Sequence, residues 1–198
     1  MEKISYEKDS LDFEVKYSSL IEKLDSMADK DRIIFAIEGC SGSGKTTLAK
    51  ILQGKYDCNV FHMDDFFLQP HQRTKERLEE VGGNVDRERF LEEVLIPLKK
   101  GEEIRYKRFD CKSFTFLPQV IMAPKRINII EGSYSMHPLL ADYYDFGVFL
   151  TIDAALQKKR IENRNSKEQA QRFFDTWIPM EEKYHKGMRV KERCSLVF

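Results

Sequence analysis

Gly39-Cys40-Ser41-Gly42-Ser43-Gly44-Lys45-Thr46 follows the pattern G-x-x-x-x-G-K-[ST]. That spacing lets backbone N–H groups turn inward on phosphate oxygens. Short patterns also arise by chance, so the flanks decide. Upstream, Arg32-Ile33-Ile34-Phe35-Ala36-Ile37-Glu38 is a short apolar run of the kind a buried strand makes. Downstream, Leu48, Ile51 and Leu52 share one helical face and Gly54 is a plausible stop. Strand, glycine loop and helix therefore follow in the order a phosphate cradle needs. Glycines allow the turn, and the new helix presents its positive end. Lys45 would reach the β- and γ-phosphates, and the Thr46 hydroxyl would hold Mg²⁺. Gly39 through Gly44, with Lys45, Thr46 and Thr47, are the expected nucleotide-binding residues, for a nucleoside triphosphate with Mg²⁺.

The bulk numbers narrow the class. The chain has 198 residues, long enough for one domain with a real core. Lys+Arg and Asp+Glu are both 33, so the net charge is zero and no general nucleic-acid track is expected. The four cysteines, 40, 58, 111 and 194, show no metal spacing, which reads as a reduced cytoplasmic protein rather than a disulfide framework. No signal peptide opens the chain, and no run approaches the roughly 18 apolar residues of a membrane span.

The rest of the chain predicts alternating strands and helices. Leu20, Ile21, Leu24, Met27 and Ala28 share a face, so residues 1–30 are expected to be an N-terminal helical extension; Leu11, Phe13, Val15 and Tyr17 alternate instead. Cys58 to Met63 reads as a second strand ending at Asp64-Asp65, where ligands gather in parallel sheets. On extended chain only one of the two aspartates faces the phosphates. Residues 69–85 read as a loose connection, and Asp86 as a cap for a helix over Arg87 to Leu95. Two antiparallel strands fit an insertion at about 98–123. Arg126 to Gly132 is a third core strand with Glu131 at its end, and an acid there serves Mg²⁺ or the attacking group. A fourth strand covers Asp145 to Ile152. Asp153 caps a helix bearing Arg160 and Arg164, Ser166 to Gln171 reads as a loop or frayed helix, and Cys194 to Phe198 closes the sheet. Phe173, Trp177, Met180 and Tyr184 recur at helical spacing and read as core rather than a base-stacking platform, with Pro179 kinking the helix. The sum is a three-layer α/β/α fold around a five-stranded parallel sheet, with a β-hairpin insertion.

Among users of such a loop, a switch GTPase needs D-x-x-G and N-K-x-D. No glycine here has an Asp three residues before it, and no Asn-Lys pair exists. No L-S-G-G-Q occurs either. A small-molecule kinase layout remains, with an ATP-binding regulatory protein lacking turnover as the rival class.

Residues 39–47, His62-Met63-Asp64-Asp65-Phe66-Phe67 and Ile129-Ile130-Glu131-Gly132 together resemble the uridine kinase-like group. That group includes uridine-cytidine kinase, nicotinamide riboside kinase, phosphoribulokinase and P-loop pantothenate kinases. The resemblance implies ATP-dependent phosphorylation of a hydroxyl on a small molecule, a nucleoside 5′-hydroxyl first. It implies that Asp64 acts on that hydroxyl, that Glu131 is a Mg²⁺ and substrate ligand with Thr46 and Asp64, and that Arg160 and Arg164 act from a helical lid at about 160–172, Arg172 less surely. Asp86 matches an acid that holds ribose hydroxyls, although a helix cap explains it equally well. Phe109 is the matching hairpin aromatic. The hairpin, Phe109-Asp110-Cys111-Lys112-Ser113, lacks the uridine kinase histidine, and the lid lacks the R-D-x-x-E-R-G run. Nicotinamide riboside, pantothenate or another hydroxyl compound therefore stay open as acceptors. His62, His71, His137 and His185 read as incidental.

Overall fold

Side chains alternate across the first strand. Ile33, Phe35 and Ile37 pack with one apolar cluster, and Ile34 and Ala36 with another. The two clusters are the faces of one sheet. All seven residues of β1 (Ile33–Gly39) are buried, as expected of a central parallel strand covered on both sides. The computed structural model describes residues 13–198, so Leu11 and the start of the 1–30 extension lie outside the described residues.

Four strands join β1 in parallel: β2 (Cys58–His62), β5 (Ile127–Glu131), β6 (Phe146–Leu150) and β7 (Leu196–Val197). The sheet order is β2-β5-β1-β6-β7. Register pairs Ile37 with Glu131 and His62 with Glu131. Three strand ends, β1, β2 and β5, therefore finish side by side; Gly39 ends the first, Glu131 the third, and Asp64 follows two residues beyond the second. β3 (Ile104–Asp110) and β4 (Thr115–Met122) form a separate antiparallel hairpin.

One face of the sheet is covered by α1 (Ser18–Asp25), through buried Leu20 and Leu24, and by α2 (Lys45–Lys55), through Leu48 and Leu52. Phe66, Phe90, Val94, Leu98 and Tyr184 fill the other. The five-stranded parallel, three-layer expectation is met.

Several local expectations change. Residues 69–85 are built rather than loose. Gln69 and Gln72 cap each other across a 3₁₀ turn, Pro70–Gln72. Thr74 caps α3 (Lys75–Glu79). Arg77 then donates to the Gly83 and Val85 carbonyls and the Glu88 carboxylate. The helix expected to stop at Leu95 runs on as α4: Arg87–Phe90, a π-helical turn at Leu91–Leu95, then Ile96–Lys100. Pro97 lies in the last part. A π turn shifts the hydrogen-bond ladder by one residue, so a proline without an N–H is accommodated just beyond it. Pro179 repeats the arrangement. α5 (Pro138–Ala141) and α6 (Ala154–Arg164) precede α7, which joins Lys167–Arg172, a π turn at Phe173–Trp177 and Ile178–Gly187. The stretch expected to fray at 166–171 is helical because Ser166 and Gln169 cap each other.

Candidate active site

The loop after β1 takes its shape from glycine. Gly39 has φ +139, and a Cβ there would lie 2.2 Å from the Leu150 carbonyl oxygen, so no other residue fits without moving β6. Gly44, φ +104, turns the chain into α2. The Ser43 hydroxyl is buried and has no partner among the described residues. An orphaned donor inside a loop of inward N–H groups suits an anion.

Lys45 Nζ is held at the mouth of the loop, 2.5 Å from the Gly39 carbonyl, 3.2 Å from that of Cys40 and 3.4 Å from Ser133 Oγ. Thr46 Oγ1 donates to Glu131, 3.2 and 3.3 Å from its two oxygens. Hydroxyl and carboxylate oxygens suit a hard cation such as Mg²⁺. Among the described residues no group of three or more His, Cys, Asp or Glu could hold a metal alone.

His62, expected to be incidental, sits 2.5 Å from Glu131 through Nδ1. The bond to Glu131 raises its pKa, although burial opposes the shift. His62 thus helps hold the Glu131 carboxylate in place.

Asp64 and Asp65 lie on a 3₁₀ turn, Met63–Phe66, not on extended chain. They still diverge. Asp64 lines the cavity with the loop, whereas Asp65 turns to Tyr106 of the hairpin. Asp64 is exposed, and it lies on the cavity wall. Desolvation there raises its pKa, Glu131 adds to the rise, and Lys45 opposes it.

One cavity of about 1230 Å³ connects these groups. Gly42 through Thr47, Asp64, Glu131, Arg160 and Arg164 line it, and so does Arg172. Arg160 donates to the Gly42 carbonyl at 2.9 Å, and Gln157 on the same helix to that of Ser41. Arg164 lies over the Phe173 ring, 5.2 Å from its centroid. Arg160 of the basic face of α6 therefore bonds to the loop, although its side chain is exposed. Phe173 and Trp177 also face the cavity, and of the aromatic stripe only Tyr184 is fully core. The π turn rotates these two rings away from the direction a plain helix would give.

Two expected substrate residues stand apart. Asp86 caps α4, accepting from Arg89 N, and its other oxygen accepts from Gln72 Nε2. Phe109 is buried edge-on against Phe116, while Cys111 and Phe114 at the hairpin tip reach the cavity instead. Neither Asp86 nor Phe109 lines the cavity.

A residue with no sequence signal ties the site together. Glu181 on α7 accepts from Ser41 N at 2.9 Å, Ser41 Oγ at 2.7 Å and Ser133 Oγ at 2.6 Å. Glu38, fully buried behind the loop, accepts from Gly39 N, Met136 N and the Tyr184 hydroxyl. His185 lies 3.5 Å from it. Burial would lower the His185 pKa, but the neighbouring Cys40 and Glu38 outweigh it and push the group up to about 9. Its folded pKa is thus above the unfolded value of 6.5. The ion pair contributes fully below that value and is lost as pH rises through about 9. The thermal midpoint of the parent chain should fall between those two pH values, and the fall should shrink in His185→Gln.

No helix of the described residues is long and apolar enough to cross a membrane. Two solved structures share the fold. One is described as a possible uridine kinase from Bacillus stearothermophilus, at 22% identity and TM-score 0.74 over 94% of this chain and 99% of that one. The other is described as a candidate fructose transport system kinase from a Silicibacter species, at 22% identity and TM-score 0.65 over 93% and 97%. A family model covers residues 34–175, from the first strand through the basic helix to the π turn of α7. With that span matched, the chain belongs to the phosphoribulokinase / uridine kinase family of P-loop kinases, enzymes that transfer phosphoryl groups from ATP to small molecules.

Proposed function

We propose that the chain transfers the γ-phosphoryl of MgATP to a hydroxyl of a small metabolite, with Asp64 as the general base and a nucleoside 5′-hydroxyl as the first acceptor to test. The observation that carries this reading is that Asp64, its pKa raised, shares one cavity with Lys45, Thr46 and Glu131. Asp64 accepts the hydroxyl proton as the new P–O bond forms and the bond to ADP breaks. Thr46 and Glu131 would hold Mg²⁺, which would supply charge neutralisation for the triphosphate. Lys45 takes part of the developing charge on the transferred group, and Arg160 and Arg164 take the rest. As a lid, α6 and the start of α7 would keep water from acting as the acceptor.

A second reading has its own observation. Arg73 lines the cavity, and its guanidinium makes no hydrogen bond or ion pair among the described residues, although its backbone N–H donates to the Pro70 carbonyl. Asn84 and Cys111 line the cavity with it, and Arg73 is close enough to Cys111 to oppose the rise in its pKa. A guanidinium facing a substrate cavity favours an acceptor bearing a carboxylate or phosphate beside its hydroxyl. With Asp86 and Phe109 occupied elsewhere, ribose and base contacts must come from other residues, which lends this reading weight.

ADP release measured across uridine, cytidine, nicotinamide riboside, pantothenate, fructose and sugar phosphates tests both readings. Turnover with a neutral nucleoside supports the first, and turnover with an anionic compound the second. ATP affinity with no acceptor-dependent ADP release would support the regulatory alternative. For an anionic acceptor, Arg73→Gln should raise KM roughly tenfold or more with kcat nearly kept, the size of one lost charged hydrogen bond. A neutral acceptor should show no such change.

A further inference from the structure

The cavity extends beyond the phosphate loop along the outer surface of α2. Thr47 and, one turn later, Ile51 line it, and Ile51 is 41% exposed. Phe13, Lys16 and Tyr17 line it too. The two rings belong to the apolar cluster on the α2 face of the sheet, whereas Phe67 and Tyr134, which share the cavity with Asp64, pack with the opposite cluster. The two ends of the cavity thus lie over different faces of the sheet.

Thr46, Glu131 and Asp64 mark the end where phosphoryl transfer would occur. A triphosphate with its terminal group there runs back along the loop towards Thr47, and its nucleoside passes onto the α2 surface. We infer that the N-terminal segment carrying Phe13, Lys16 and Tyr17 forms, with Ile51, the wall against which the base of the triphosphate packs. This rests on the triphosphate reading proposed above.

The segment is built to hold such a wall. Phe13 and Tyr17 lie 5.0 Å apart, and Tyr17 meets Phe198 edge-on at 4.9 Å. Glu14 pairs with Lys55 at the far end of α2 at 2.6 Å. Both rings are mostly buried, so each shows the cavity only part of itself, and Ile51 completes an apolar surface for a flat ring. Lys16 Nζ, 5.1 Å from the Tyr17 centroid, adds a cation beside the path of the phosphates. Phe13, Lys16 and Tyr17 precede residues 34–175, the span that the family model matches, whereas Ile51 lies within it.

Calorimetric binding of MgATP and of magnesium tripolyphosphate, which lacks base and ribose, tests the wall. In Phe13→Leu/Tyr17→Leu the ATP affinity should fall about tenfold while tripolyphosphate stays within about twofold, the loss expected for base–aromatic contact. Ile51→Ser, on an exposed helix surface, should move the same way by a smaller factor. It decides the matter if the double variant loses its thermal transition. Equal weakening of both ligands in Ile51→Ser, or no change in either, overturns the wall. A parent chain that binds tripolyphosphate as tightly as ATP also overturns it and leaves the cradle standing. A parent that binds neither ligand overturns both.

Discussion

Asp64→Asn should lower kcat by roughly 10²–10⁴ while ATP affinity stays close to that of the parent, because a general base acts on the chemical step rather than on the cradle. Asn keeps the shape and the hydrogen-bonding reach of Asp but cannot take a proton. Asp65→Asn is the matched control. Its carboxyl turns to the hairpin Tyr106, so turnover should stay near the parent value. Stopped turnover in Asp65→Asn with full activity in Asp64→Asn would move the role one residue along. The pH profile gives a second readout. Burial and Glu131 raise the Asp64 pKa, and a base works only when deprotonated. Activity should therefore fall with decreasing pH above the ordinary carboxylate range, and Asp64→Asn should lose that acid limb.

Lys45→Met should lower kcat by roughly 10²–10³, the size seen when one preorganised donor is removed from a developing charge. ATP should also bind more weakly, since the ammonium meets the β- and γ-phosphates before as well as during transfer. The side chain is already held at the loop mouth by the Gly39 and Cys40 carbonyls, so little reorganisation is needed when phosphate arrives. Lys45→Arg should not restore activity. A planar guanidinium is larger than the compact ammonium the loop encloses. Unchanged turnover in Lys45→Met would mean the phosphates lie elsewhere.

The parts legible in the sequence are those where chemistry dictates residue type at fixed spacing. The 39–46 loop needs its glycines, lysine and threonine in that order, and β1 buried on both faces must be apolar throughout. Glu131 was legible because a strand-end acid beside such a loop has few other reasons to exist. Glu181 was not. It meets Ser41 across 140 residues of sequence, and nothing separates it beforehand from the other acids of an amphipathic helix. Asp86 illustrates a different limit: one residue pattern serves a helix cap and a sugar ligand alike, and only the hydrogen bonds to Arg89 and Gln72 distinguish them. The cavity-facing Phe173 and Trp177 were hidden by the π turn, which breaks the 3.6-residue period used to sort core from surface. His62 and His185 looked incidental because their partners, Glu131 and Glu38, are brought to them by strand register and helix packing.

The most direct measurement is a crystal structure of the chain with a non-hydrolysable ATP analogue and Mg²⁺. The expected result places the γ-phosphate at Lys45, the ion between Thr46 and Glu131, and Asp64 facing the terminal phosphoryl group. A nucleotide bound with Asp64 and Glu131 both turned away from that group, with α6 closed over the loop, would contradict it.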